Sequence, residues 1–155
     1  MGKKLEQVFE SSFWEEAWVE AQALRDEQKK KSGQSGGVRP WDKRAEHFNH
    51  KVSGGEGSAR TENVISFLED EGALVPGMKI IDIGCGPGSI TLRLAETADH
   101  VYALDPSQKM LQLLKQKIEE KGLKNITLLQ ERWQDIDLEK EGWLEAFDLS
   151  FSSMS

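Results

Sequence analysis

A chain of 155 residues is long enough for one core, and 37% hydrophobic beside 30% charged residues suits a soluble globular protein. The net charge of −7 disfavours a nucleic-acid substrate, because binding phosphates needs a basic surface. The single cysteine cannot form an internal disulfide and is compatible with a reducing cytoplasm; no signal peptide is visible, and no apolar run approaches the roughly 20 residues of a spanning helix.

Taken in order, residues 3 to 31 read as one amphipathic helix: Leu5, Phe9, Phe13, Ala17, Ala21 and Leu24 recur every three or four positions, widened by Val8, Trp14 and Trp18. Such an aromatic stripe must be buried, either on the chain's own α/β domain or on a second chain. Lys29-Lys30-Lys31 is a solvated end favoured by the helix dipole. Ser32-Gly33-Gln34-Ser35-Gly36-Gly37 is a flexible linker by composition, and a short helical segment is expected from near Trp41 to His50. His47 and His50 lack the further ligands that zinc requires, so no metal site is expected. Ser53-Gly54-Gly55-Glu56-Gly57 reads as a second flexible joint, followed by a helix from Ser58 to about Glu71 with Val64, Ile65 and Leu68 as its apolar face and Gly72 as its stop.

After Pro76-Gly77, the run Lys79-Ile80-Ile81-Asp82-Ile83 predicts a buried parallel strand that breaks into Gly84-x-Gly86-x-Gly88 and then a helix carrying Leu92, Leu94 and Ala95. A strand turning on glycines into a helix is the nucleotide-binding corner of a doubly wound α/β domain. Glycine permits the tight turn and a close approach of ligand to backbone, and the helix N-terminus attracts an anionic group. A dinucleotide fingerprint would need glycine or alanine at position 89, where Ser89 stands. Instead, Ile81-Asp82-Ile83-Gly84-Cys85-Gly86-Pro87-Gly88 resembles motif I of the class I S-adenosylmethionine-dependent methyltransferases. The resemblance implies a Rossmann-like parallel sheet, S-adenosylmethionine as cofactor and S-adenosylhomocysteine as product. It also implies that residues 32–57 hold a lid, loosely marked by Trp41 and Phe48, although ordinary packing explains both rings equally well.

Val101-Tyr102-Ala103-Leu104 predicts the second strand, ending in Asp105, 17 residues after Gly88. A carboxylate there can accept both ribose hydroxyls; the alternative is that it caps the helix beginning at Pro106-Ser107. Asp105 to Leu111 resembles the segment that follows motif I in the family, which adds Pro106 and Met110 to the cofactor-binding set, Met110 serving equally well in the core. The helix from Ser107 to Lys121 buries Met110, Leu111, Leu114 and Ile118 and ends at Gly122; Ile126 to Gln130 is the third strand. At its tip, Glu131-Arg132-Trp133-Gln134-Asp135 departs from the family's usual acidic-plus-small pattern, leaving Arg132 and Trp133 as candidates beside the adenine, with Asp135 too far along. A short helix is expected over 138–146, and Ala146 to Ser152 resembles the family's fourth strand.

The family continues through three more strands, so residues 58–155 read as its cofactor-binding half, a fragment or a truncated form whose fourth strand is an exposed edge that a homodimer would hide. By resemblance Asp82, Gly84, Cys85, Gly86 and Gly88 hold the methionine end of the cofactor. Asp82 alternatively only satisfies donors at the corner, and Cys85 is a small packed residue rather than a nucleophile. No catalytic base can be named. Methyl transfer to a small molecule stands first, against a non-catalytic S-adenosylmethionine-binding module and, disfavoured by Ser89, a nicotinamide dinucleotide domain.

Overall fold

Ile80, Ile81 and Ile83 give the strand β1 (Lys79–Ile83) its β-branched surface, and β1 lies at the centre of a parallel sheet. On one side it pairs with β2 (His100–Leu104), which pairs with β3 (Ile126–Leu129); on the other it pairs with β4 (Leu149–Ser152), so the order is β3-β2-β1-β4. The register sets Ile80 beside Val101 and Leu149, and Val101 beside Ile126. The computed structural model describes residues 38–153. The expected amphipathic helix over 3–31 and the linker Ser32–Gly37 lie outside the described residues.

Among the described residues, four helices accompany the sheet: α1 (Val38–Ser53), α2 (Gly55–Asp70), α3 (Ser89–Thr97) and α4 (Gln108–Lys121). Alternation along the strands turns Ile80, Val101, Ala103 and Ile126 to one face, where Ile65 of α2, Leu94 of α3 and Leu114 of α4 pack. The opposite face carries Tyr102, whose ring meets Phe147 and Trp143 at centroid distances of 5.3 and 6.2 Å. None of the described helices is long and apolar enough to cross a membrane.

Three expectations change. The segment near Trp41 is a full helix of 16 residues rather than a short one. The joint over 53–57 is reduced to Gly54, an extended residue between two helices, because Gly55 to Gly57 form the first turn of α2. There α1 and α2 cross so closely that a Cβ on Gly57 would stand 2.5 Å from the carbonyl oxygen of Val52. Residues 138–146 form turns, not a helix: Gly142 and Glu145 take positive φ of 66° and 57°, which interrupt any helical run.

Gly88 must be glycine twice over, with φ of 81° and a Cβ position only 2.2 Å from the Leu114 side chain. Gly72 has a similar φ of 67° with nothing near its Cβ position. Gly72→Ala is therefore expected to cost about 1–2 kcal/mol for backbone strain alone, and Gly88→Ala about 1–3 kcal/mol more for overpacking, as read by urea unfolding. Equal losses would show that the contact with Leu114 relaxes freely.

Candidate functional site

In an open parallel sheet, the crevice at the carboxyl ends of the strands opens where successive connections leave in opposite directions. Here that point is beside β1, from which the chain runs to β2 and β3 on one side and returns to β4 on the other. The glycine turn sits at this point. Gly84, Gly86 and Gly88 all have positive φ, at 73°, 54° and 81°.

The turn's amides are directed inward. Gly84 N and Cys85 N both donate to Leu104 O at 2.8 and 3.0 Å, Gly88 N donates to Cys85 O at 3.1 Å, and Gly86 N donates to Asp105 Oδ2 at 2.9 Å. At the start of α3 the amides of Ser89 to Thr91 have no acceptor within the helix, an arrangement that can meet an anionic group. The space in front of Gly86 is bounded by Phe48, whose ring carbon lies 3.7 Å from where a Cβ would be. Glycine at 86 is thus required by its φ, and α1, not open solvent, stands against this part of the turn.

Asp105 ends β2 nearly buried, and its two oxygens take separate amides: Gly86 N on Oδ2 at 2.9 Å and Ser107 N on Oδ1 at 2.8 Å. Burial pushes its pKa above the ordinary carboxylate value, while these two N–H groups oppose the rise. The side-chain cap of α4 is Ser107, whose Oγ accepts Met110 N at 3.3 Å. Asp105 therefore joins the loops after β1 and β2 and leaves the capping to its neighbour.

Asp82 is buried between β1 and α3, where Thr91 Oγ1 donates to its Oδ2 at 2.6 Å. Burial raises its pKa to about 6 against the Thr91 hydrogen bond, and the nearby Asp105 charge adds to the rise. Cys85 packs with Leu92, Ala103, Leu111 and Leu114, and burial pushes its thiol well up, which suits a small packed residue. Met110 is buried and Pro106 half-buried at the start of α4. Arg132 and Trp133 are exposed beyond β3 in a 3₁₀ turn (Trp133–Asp135), with Arg132 Nε held by Asp135 Oδ2 at 2.5 Å. His47 and His50 are exposed on α1, and His100 meets Thr127 Oγ1 at 2.8 Å at the start of β2.

Sequence reasoning missed Asp42, Asn49 and Lys117. Asp42 Oδ1 accepts Ser107 Oγ at 2.6 Å, and Lys117 Nζ donates to Asn49 Oδ1 at 2.6 Å and to Pro87 O at 3.0 Å. The available signal was that Asp42 and Asn49 lie seven residues apart, on one helical face.

A family model described as a methyltransferase domain matches residues 74–154, just over half of the chain. The magnesium-protoporphyrin O-methyltransferase of Synechocystis is 39% identical over 59 residues, 38% of this chain and 25% of that protein. The protein-L-isoaspartate O-methyltransferase of Protochlamydia amoebophila is 28% identical over 65 residues, 42% of this chain and 31% of that one. The chain thus spans between a quarter and about a third of the length of these curated relatives. Among solved structures, a dimethyladenosine transferase from Plasmodium falciparum superimposes with a TM-score of 0.50 over 60% of this chain and 32% of that one; at 17% identity the likeness is of fold alone. The Synechocystis enzyme with bound S-adenosylmethionine gives a TM-score of 0.46 at 30% identity, over 52% of this chain and 39% of that one.

Because the pKa of Asp82 stands at about 6 in the fold against an ordinary 3.8, the folded state holds its proton the more tightly. Its contribution is complete below pH about 4 and is lost as pH rises through about 6, a change of about 3 kcal/mol at most. Asp82→Asn removes this titration, so its stability relative to the native chain is expected to rise between pH 4 and 7 in denaturant unfolding. A pH-independent difference would show that Asp82 is not buried in its acid form.

Proposed function

The chain belongs to the methyltransferase domain family, of the class I S-adenosylmethionine-dependent kind, and from that premise we propose that it holds S-adenosylmethionine at the glycine turn for methyl transfer to a small-molecule acceptor. The observation that carries this reading is Asp105. An ionised carboxylate offers about four acceptor positions; two are used by Gly86 N and Ser107 N, and two remain for a ribose diol at the switch point of the sheet.

When bound, the cofactor supplies a methyl group already activated on a sulfonium. The chain's own residues bind and orient it. Asp105 takes the ribose hydroxyls, and the amides of Ser89 to Thr91 take the methionine carboxylate through their unpaired N–H groups and the helix dipole. Pro106, Met110, Arg132 and Trp133 line the adenine side. Asp82, tied to Thr91, positions the start of α3 rather than touching the ligand. With Phe48 against Gly86, α1 keeps water from the turn, which strengthens every polar contact made there. The same site without turnover would make a binding module, and acceptor-dependent formation of S-adenosylhomocysteine separates the two.

The net charge of −7 favours a small acceptor over a nucleic acid, and the lone cysteine agrees with a cytoplasmic setting. Self-association is placed at the hollow that Phe67 of α2, 62% exposed, lines together with Phe151 of β4, where a second copy of the chain would cover the apolar surface.

Calorimetric titration is expected to show binding of S-adenosylmethionine and S-adenosylhomocysteine and none of NAD. Asp105→Asn, which keeps an oxygen for one amide, should weaken that binding by about 1–3 kcal/mol; unchanged affinity would refute the ribose assignment. In sedimentation velocity, Phe67→Glu should shift the chain from dimer to monomer, and a wild-type chain that is monomeric throughout would exclude self-association at this face.

A further inference from the structure

Three segments distant in sequence meet around Phe48, and a closed ring of hydrogen bonds joins them. Starting on α1, Asp42 Oδ1 accepts Ser107 Oγ at 2.6 Å, and Ser107 N donates to Asp105 Oδ1 at 2.8 Å. Asp105 Oδ2 accepts Gly86 N at 2.9 Å, and the carbonyl oxygen of the following residue, Pro87, accepts Lys117 Nζ of α4 at 3.0 Å. The same ammonium donates to Asn49 Oδ1 at 2.6 Å, which returns the ring to α1. Asp42 and Asn49 are two helical turns apart, about 10 Å, so α1 is held at two points with Phe48 between them against Gly86.

We propose that Asp42, Asn49 and Lys117 are positioning residues of the cofactor site: they clamp α1 onto the glycine turn and, through Ser107 and Gly86, hold the Asp105 carboxylate in a single orientation. The inference rests on the functional reading above and adds what regulates release from that site. Ser107 is the pivot, because its amide holds Asp105 while its hydroxyl holds Asp42. Lys117 is half-buried and spends its hydrogen bonds on two neutral oxygens, so moving α1 away strips a partly desolvated ammonium of a partner. Neither tie is an ion pair, and added salt therefore leaves the clamp in place.

The test is S-adenosylhomocysteine displacement by stopped flow together with hydrogen exchange of the α1 amides in the ligand-free chain. Asp42→Ala and Lys117→Met should each speed release about tenfold or more, at both low and high salt, and raise exchange across α1. Asp42→Asn, which keeps an oxygen for the Ser107 hydroxyl, should restore most of the slow release. Lys51→Ala, on the exposed side of α1, should change neither readout. Unchanged exchange in both variants overturns the clamp, whatever the ligand does. Loosened α1 with unaltered release overturns the positioning role and leaves a packing contact. A native chain that binds no S-adenosylhomocysteine overturns the functional reading and the positioning role with it, while exchange still reports on the ring itself.

Discussion

One carboxylate joins the two loops on which the site is built. Asp105 accepts an amide from the turn after β1 and an amide from the turn after β2, and the glycine turn keeps its shape because Gly86 N has that acceptor. A buried carboxylate is costly unless its charge is met by donors, and two backbone N–H groups meet part of it. The interaction that shapes the turn leaves further acceptor positions on the same carboxylate.

A second carboxylate lies nearby with a different environment. Asp82 is turned into the helix-covered face, its one side-chain partner is Thr91, and its pKa stands at about 6. Two acids close enough to influence each other are separated by what surrounds them: backbone donors at the crevice for Asp105, an apolar seam for Asp82. One joins two loops, and the other joins strand to helix.

The helix over the turn follows from the same economy of polar groups. Ser107 and Pro87 have hydrogen-bonding capacity left after the loops are formed, and α1 supplies Asp42 and, through Lys117, Asn49. The close crossing at Gly57 and the single extended Gly54 set the angle at which α1 leaves α2. The cover is therefore fastened at its hinge by packing and at its face by hydrogen bonds.

The four strands, the helices that follow β1 and β2, the glycine turn and the acid at the tip of β2 were legible in the sequence, because each rests on local chemistry: a β-branched run, glycines where φ must be positive, a serine before a helix and a glycine after it. Comparison with the family added the cofactor and the expectation of a cover. The direction of each carboxylate was not legible, since Asp82 and Asp105 are equally acidic on paper and only the neighbouring strands and helices decide which is turned inward. Nor were Asp42, Asn49 and Lys117, whose partners lie 30 to 68 residues away. Residues 138–146 looked helical until the positive φ of Gly142 and Glu145 showed that the chain must turn back toward β4. Periodicity and turn chemistry act between near neighbours and so were readable; which polar groups face one another across the crevice is set when distant segments pack, and no local pattern encodes it.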